Sequence, residues 1–216
     1  MENLKTKFSV LFVHIPKNAG SSVGRSSFVV KHASRNFSPE VPKSSTESLK
    51  VSYAICRDPY ARFTSAVFNH GYLGKVTVGD GFLSETVQND YWKWLGKFKF
   101  AELQKIFEDW VTGDFLEQYY EKFKTWDGGG DLEWPELQPQ YRHVYYKDKL
   151  SVDQVGRVED LDGSWRLVCD LAGEEYKELP RVNVSKLPEH WKYHTDKTRE
   201  IVRRVYSEDF EKFGYV

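Results

Sequence analysis

The sequence is poor in cysteine and has no long apolar run. Its 216 residues include two cysteines, Cys56 and Cys169, whose separation matches no zinc-ligand spacing and excludes a disulfide framework. The N-terminal apolar run reaches about six residues before Pro16, which is too short for a signal-peptide core or a membrane span. We therefore expect a reducing, cytoplasmic location and no membrane anchor.

The sequence also lacks a large net charge of one sign. The formal net charge is −1, so we expect no nucleic-acid partner. The charges are unevenly distributed, since residues 1–75 carry 11 Lys and Arg against 4 Asp and Glu, whereas residues 76–216 carry 20 against 28. Two explanations remain open: a chance segregation of solvated charges, or a first third of the chain that handles an anion.

The remaining composition is that of an ordinary globular protein. Hydrophobic residues make up 40% and charged residues 29%, and the length predicts a single domain over 1–216. Short apolar runs at 8–13 and 51–56 predict buried strands, and the segments 21–31 and 59–70 predict helices after them. This repeated order of strand, turn and helix predicts an α/β fold with a central parallel sheet flanked by helices.

The later elements are predicted from the helical spacing of apolar residues, from short β-branched runs and from Gly/Pro-rich stretches. Helices are predicted at 101–111, 115–123, 161–172 and 195–213. Strands are predicted at 144–146 and 155–158, and loops at 33–50 and 126–139.

The turn after the first strand, "HIPKNAGSS", has the residues of an anion site. The N–H groups of such a turn and of the first helical turn, the helix dipole, the Lys17 ammonium and the Ser21 and Ser22 hydroxyls all favour a negative ligand. The pattern differs from the P-loop G-x-x-x-x-G-K-[ST], because Lys17 precedes Gly20 and no Walker-B aspartate is evident. Taken alone, the turn fits a sheet-edge lysine equally well.

The second turn, "RDPYARFTSA", changes that balance. Arg57 follows the second strand as Lys17 follows the first, so both cations are expected at the C-terminal edge of one parallel sheet, where α/β proteins bind ligands. The Arg57 fork suits a phosphate, which Ser65 in the following helix can share. We expect Arg62 to pair with a carboxylate or to lie in solvent, and Asp58 to act as a cap or as a partner for Arg57.

Together these motifs resemble those of sulfotransferases that use 3′-phosphoadenosine 5′-phosphosulfate (PAPS). "FVHIPKNAGSSV" is similar to their 5′-phosphosulfate loop, and "ICRDPYARFTSAV" to their 3′-phosphate motif. Further similar segments follow in order, namely "FKFAELQKIFEDWV", "LQPQY", "VGRVEDLDGSWRLVCDLAG", "VNVSK" and "YSEDFEKFGY". The resemblance covers nearly the whole chain and is greatest for the small sulfotransferase family 2, which includes membrane-type carbohydrate sulfotransferases. It implies a fold like that of P-loop nucleotide hydrolases.

The resemblance also implies the co-substrate and the residues that hold it. PAPS would be the sulfuryl donor, adenosine 3′,5′-bisphosphate the product, and no metal would be needed. Lys17 would hold the 5′-phosphate and stabilise the oxygen that leaves sulfur, so it is the first catalytic candidate. The other implied donor contacts are Asn18 and Ala19, where the family commonly has Thr and Gly, Gly20, Ser21, Ser22, Arg57, Ser65 and Lys186.

The general base is less well defined by the sequence. His32 lies after the first predicted helix, where related enzymes often place a Lys-His pair whose histidine serves as base. A histidine at a helix end can equally be a cap or a surface group. His70, His143 and Glu159 are the reserve candidates, and His14 is predicted to be structural.

The acceptor is constrained only by charge. The acidic balance of residues 76–216 disfavours a polyanionic glycosaminoglycan, so we expect a small molecule or an uncharged or cationic glycan, sulfated on a hydroxyl or an amine. Four tryptophans either stack on the acceptor or pack within the protein: Trp92, Trp94, Trp126 and Trp134.

Two other functions stay open. One is a catalytically inactive nucleotide-binding protein of the same fold. The other is an ATP-dependent small-molecule kinase, which predicts a lysine after the glycines that this turn lacks. The sequence indicates no oligomeric state.

Overall fold

The computed structural model describes residues 9–33, 49–69, 97–113, 116, 118–121, 135–182 and 189–216. The chain divides into two compact units. The first unit comprises Met1–Asp58, Asp127–Ser185 and Glu208–Val216, and the second comprises Pro59–Trp126 and Lys186–Ser207. The single domain over 1–216 stays a prediction.

Strands and helices are named in chain order over the described ranges. The strands are β1 (Val10–His14), β2 (Val29–Ala33), β3 (Val51–Cys56), β4 (Tyr145–Tyr146), β5 (Lys149–Leu150) and β6 (Gln154–Arg157). The α-helices are α1 (Gly20–Val23), α2 (Pro59–Asn69), α3 (Phe100–Val111), α4 (Leu161–Ala172), α5 (Asp196–Val205) and α6 (Ser207–Phe213). Single 3₁₀ turns occupy Pro135–Leu137, Gln140–His143, Val158–Asp160 and His190–Lys192.

The first unit is built on a parallel sheet. Four strands lie in the order β2-β1-β3-β6, and every neighbouring pair is parallel. The strands β4 and β5 form a separate antiparallel hairpin. The predicted α/β fold with a central parallel sheet is confirmed.

Both faces of this sheet are covered by apolar side chains, because successive residues of a strand point to opposite faces. Phe12 and Tyr53 belong to a buried cluster that includes Trp165 of α4. Their neighbours Val13 and Ala54 belong to a second cluster, to which α6 contributes. The continuous apolar runs of β1 and β3 are therefore explained by burial on two sides.

The first predicted helix is largely wrong. The segment 21–31 was expected to be helical, but α1 ends at Val23 and the chain returns as β2, beside β1. Valine side chains favour the extended conformation, and pairing Val29 with β1 satisfies backbone groups that a local pattern does not reveal. His32 therefore lies on a strand, opposite Val13, and not after a helix.

Helix α4 agrees with the predicted 161–172, because both of its ends carry local signals. The Asp160 carboxylate accepts a hydrogen bond from the Gly163 N–H at 3.2 Å and caps the N-terminus. Gly173 follows the helix with a φ of 67°, the left-handed conformation that favours glycine.

Most other predicted elements lie within one residue of the structure at each end. The helices predicted at 59–70 and 101–111 and the strands at 144–146 and 155–158 are α2, α3, β4 and β6. The predicted 115–123 lies partly outside the described residues, which are helical at 116 and 118–121. The predicted loops 33–50 and 126–139 also lie mostly outside them.

The last predicted helix, 195–213, is two helices. Helix α5 ends at Val205 and α6 begins at Ser207. Tyr206 between them leaves the helical conformation, with φ −109° and ψ 26°, and its side chain is buried. The break coincides with the return of the chain to the first unit.

The second unit has an aromatic core formed with α2 and α3. The ring of Phe63 lies 5.9 Å from that of Phe107 and 5.8 Å from that of Tyr206. The ring of Phe68 lies 4.7 Å from that of Tyr193. Such tilted contacts between rings add to the free energy gained from burial.

His194 is buried beside this core. It is 7% exposed, and its Nε2 lies 3.0 Å from the Thr64 Oγ1. Its ring meets Phe107 edge-on at 5.0 Å. Burial lowers the pKa of His194 to about 4, so the ring is neutral at pH 7.

No helix among the described residues combines the length and the apolar character that a membrane crossing requires.

Candidate functional site

The turn after β1 has an unusual backbone. Lys17 and Ala19 have φ values of 71° and 56°, in the left-handed region that residues with a side chain rarely adopt. No described residue accepts a hydrogen bond from the N–H of Ala19 or of Gly20. Turns with left-handed residues form concavities in which such N–H groups bind anions. The turn at residues 15–19, named the Lys17 turn, therefore has the donors that an anion needs.

Gly20 is required where the Lys17 turn meets α1. A Cβ atom at this position would lie 2.0 Å from Cδ2 and 2.2 Å from Nε2 of His14, far closer than non-bonded atoms approach each other. The glycine thus allows the imidazole at the end of β1 to lie against the turn. This packing agrees with the structural position predicted for His14.

Helix α1 is too short to supply a large dipole. It spans four residues, whereas the sequence predicted a helix of three turns whose dipole would attract the ligand. Ser21 is exposed and Ser22 is buried at the start of this helix. The positive potential of the turn must therefore come from its N–H groups and the lysine.

Arg57 comes to the same edge of the sheet as Lys17, as the sequence predicted. It follows the last residue of β3, which is parallel to β1 and adjacent to it. The Arg57 Nη1 donates a hydrogen bond to the Lys17 carbonyl oxygen at 3.3 Å. The guanidinium of Arg57 therefore contacts the backbone of the Lys17 turn directly.

Gln140 joins the two turns from the interior. Its Oε1 accepts hydrogen bonds from the Asn18 Nδ2 at 2.6 Å and from the Arg57 N–H at 2.9 Å. Its Nε2 donates to the Arg57 carbonyl oxygen at 2.8 Å. The sequence associated "LQPQY" with the family, but gave no role to this glutamine.

Asn18 was predicted to contact a nucleotide, and its side chain lies inside the protein. It is fully buried, and its Nδ2 also donates to the Ile55 carbonyl oxygen at 2.8 Å. Its Oδ1 has no hydrogen-bond partner among the described residues. The predicted contact of this residue with a nucleotide stays a prediction.

Glu159 holds the residues that follow β3. Its Oε1 accepts a hydrogen bond from the Asp58 N–H at 2.8 Å, and its Oε2 accepts one from the Tyr215 hydroxyl at 3.0 Å. The guanidinium of Arg157 lies 4.6 Å from the centre of the Tyr215 ring, in a cation–π contact. Glu159 thus connects the C-terminal segment to the second turn.

Cys56, at the end of β3, is buried between these elements. Its thiol lies 3.3 Å from the Gly156 carbonyl oxygen and 3.5 Å from the Tyr215 hydroxyl. Burial raises the pKa of the thiol, and burial together with Cys56 raises the pKa of Tyr215. Both groups therefore stay protonated at neutral pH and serve as packing.

The candidate bases lie in different places. His32 is on β2, and its side chain lies outside the described residues, as does the whole of His70. His143 is 2% exposed within its 3₁₀ turn. The role of each as a base stays a prediction.

The remaining predicted residues lie elsewhere in the chain. Ser65 lies half-buried on α2 in the second unit. Arg62 is 2% exposed, so its predicted alternative position in solvent is wrong. Lys186 and four tryptophans lie outside the described residues: Trp92, Trp94, Trp126 and Trp134.

No group of His, Cys, Asp and Glu side chains within the described ranges is arranged to hold a metal ion.

A comparison with protein families supports the resemblance that the two turns indicate. The model of the Sulfotransferase family matches residues 3–216, and therefore includes both turns and every described element. No curated protein and no solved structure matches the chain.

Proposed function

The chain belongs to the sulfotransferase family, and on this premise we propose that it transfers a sulfuryl group from PAPS to a hydroxyl or an amine. Sulfuryl transfer in general follows from the family. The observation that supports PAPS as the donor is the contact between the two turns, where the Arg57 Nη1 donates to the Lys17 carbonyl oxygen at 3.3 Å. Two cationic turns that touch at one sheet edge suit a ligand with two anionic ends.

The residues present fit such a ligand chemically. The Lys17 ammonium and the N–H groups of Ala19 and Gly20 are donors for the 5′-phosphosulfate. The Arg57 guanidinium is a fork of the shape that binds a phosphate with two hydrogen bonds. Residues 1–58, the part of the chain that contains both turns, carry 9 Lys and Arg against 4 Asp and Glu, an excess of positive charge that favours an anionic ligand.

The proposed catalysis relies on position and charge. When bound, PAPS supplies a sulfuryl group whose transfer breaks the bond between sulfur and the 5′-phosphate oxygen. Lys17 and the N–H groups of its turn stabilise the negative charge that this oxygen gains. His32 accepts the proton of the attacking hydroxyl or amine. His32 pairs with Val13, one position before the last residue of β1. Strand β2 therefore ends at the same edge of the sheet as β1.

The acceptor is proposed from charge. Residues 76–216 carry an excess of eight acidic charges, which would repel a sulfated polymer. We propose a small molecule or an uncharged or cationic glycan. Labelled PAPS and a panel of neutral, cationic and polyanionic acceptors test this choice, and transfer to a polyanion alone would contradict it.

Binding of nucleotides tests the donor. Calorimetry is expected to show tight binding of adenosine 3′,5′-bisphosphate and weak binding of ATP. The Arg57→Ala variant is expected to lose about 10- to 100-fold in affinity for the bisphosphate, because a charge-assisted hydrogen bond to a phosphate is removed. Arg166→Ala is the matched control, since Arg166 pairs with Asp162 on the exposed face of α4.

Three outcomes would contradict the proposal. Equal affinity for ATP and the bisphosphate would favour a kinase. If Arg57→Ala still preferred the bisphosphate to ATP as strongly as the unsubstituted protein, Arg57 would not be the ligand of the 3′-phosphate. Binding without transfer of label to any acceptor would leave a nucleotide-binding protein. Lys17→Ala and His32→Ala are expected to lower the transfer rate of an active enzyme.

A further inference from the structure

Gln140 uses every polar atom of its side chain to connect the two turns. Its Oε1 receives hydrogen bonds from Asn18 and from the Arg57 N–H, and its Nε2 donates to the Arg57 carbonyl oxygen. The three donor–acceptor distances lie between 2.6 and 2.9 Å. The residue is fully buried, so water does not compete for these bonds.

The orientation of the Gln140 amide is fixed by backbone groups. The Arg57 N–H can only donate and the Arg57 carbonyl oxygen can only accept, so Oε1 must face the first and Nε2 the second. Since Oε1 accepts, Asn18 must present its Nδ2 to it. The Ile55 carbonyl oxygen requires the same orientation of Asn18. The network therefore has one consistent arrangement.

Asp209 in turn fixes the backbone of Gln140. Its two carboxylate oxygens accept hydrogen bonds from the N–H groups of Gln140 at 2.8 Å and of Tyr141 at 2.9 Å. The residue is 1% exposed. Hydrogen bonds to a buried carboxylate are among the stronger ones in proteins, so the glutamine is held before any ligand arrives.

We propose that Gln140 is a positioning residue that sets the spacing between the Lys17 turn and Arg57, and that this spacing selects nucleotides with a phosphate at both the 3′ and the 5′ position. The proposal rests on the proposed function of the same site. A ligand that reaches both turns gains from their fixed distance, because the second contact then costs little further ordering. A ligand with one phosphate gains nothing from it.

The experiment compares three ligands by calorimetry: adenosine 3′,5′-bisphosphate, adenosine 5′-monophosphate and adenosine 3′-monophosphate. The variant is Gln140→Met, which keeps the length of the side chain and removes its hydrogen bonds. The same substitution at Gln154, half-buried on β6, is the control. Asn18→Ala tests the same link from the other turn and leaves the bonds between Gln140 and Arg57 in place.

We expect Gln140→Met and Asn18→Ala to lower the affinity for the bisphosphate by about 10-fold or more, because displaced binding groups no longer act together. Affinities for the two monophosphates should change by less than about 3-fold, and Gln154→Met should bind all three ligands normally.

Equal losses for all three ligands in a folded Gln140→Met would overturn the inference, as would an unchanged preference for the bisphosphate. Where that variant does not fold, Asn18→Ala decides by the same two criteria. Failure of the proposed function looks different, because the unsubstituted protein would then bind the bisphosphate no better than the monophosphates.

Discussion

The residues at the sheet edge have two kinds of role: some can contact a ligand, and others fix the position of those residues. We propose Lys17 and Arg57 for the first group and Gln140 for the second. Glu159 was a reserve candidate for the base, yet both of its oxygens accept hydrogen bonds, from Asp58 and from Tyr215. A carboxylate used in this way suits a positioning role better than proton transfer.

Glu159→Gln separates these two roles. The amide keeps one acceptor and loses the other, so the free energy of unfolding should fall by about 1 kcal/mol. The rate of sulfuryl transfer should fall by less than about 10-fold, since loss of a general base costs about 100-fold or more. Chemical denaturation and an assay with labelled donor measure the two quantities.

The control for this substitution is Glu174→Gln. Glu174 accepts a hydrogen bond from Ser9 at 2.7 Å, so the same chemical change is made in the same unit. It should lower stability by less, because the amide keeps one oxygen for the single bond from Ser9, and it should leave transfer unchanged. A loss of transfer of about 100-fold or more in Glu159→Gln alone would identify Glu159 as the base.

At the level of elements, Gly20 determines how closely the Lys17 turn and α1 can pack against the end of β1. The His14 ring occupies the place where a Cβ atom at Gly20 would lie. The sequence motif contains both residues but does not show that they touch.

Gly20→Ala should lower the free energy of unfolding by about 1–3 kcal/mol, because the new methyl group meets the His14 ring. In a His14→Ala background the same substitution should cost nearly nothing, since the ring is gone and alanine favours the helix. Urea unfolding of the four proteins in this cycle measures the coupling.

Gly113→Ala is the matched control for that cycle. The nearest atoms to a Cβ at Gly113 are 3.5 Å away, an ordinary contact distance. A similar cost of Gly20→Ala in both backgrounds would show that the His14 ring is not the obstacle.

Elements with local signals were the ones that the sequence predicted well. Helix α4 has a capping aspartate at one end and a left-handed glycine at the other, and both are visible in the sequence. Strand β2 has neither, because its stability depends on pairing with β1. The helix predicted over 21–31 was wrong for this reason.

The residues of the site also divide into those that the sequence predicted and those that it did not. Lys17 and Arg57 follow apolar runs directly, so the sequence could place them at one edge. Gln140 and Asp209 reach that edge through contacts that span 83 and 69 positions, as in the bonds from Arg57 to Gln140 and from Gln140 to Asp209. No local pattern encodes such contacts.

For the whole molecule, acid stability should depend on His194. Its pKa in the folded protein is about 4, below its value of 6.5 in the unfolded chain. The unfolded state therefore binds the proton more readily, and the stability that neutral His194 contributes is present above pH 6.5 and is lost as the pH falls through 4.

The free energy of unfolding should fall by about 2 kcal/mol between about pH 7.5 and about pH 5 from this residue. Urea unfolding at several pH values measures the slope. His194→Gln should flatten it, and His190→Gln, four positions earlier in the same unit, is the control. An unchanged slope in His194→Gln would assign the acid sensitivity to other groups.

The order of these residues along the chain has a consequence for protein synthesis. The Lys17 turn and Arg57 lie near the start of the chain, whereas Asp209, which fixes the backbone of Gln140, lies on α6. A nascent chain can therefore hold both cations while the glutamine between them is still without its carboxylate. If Gln140 sets the spacing of the turns as proposed, premature termination before the codon for Asp209 should give a chain that contains both turns but lacks the carboxylate that holds Gln140 between them.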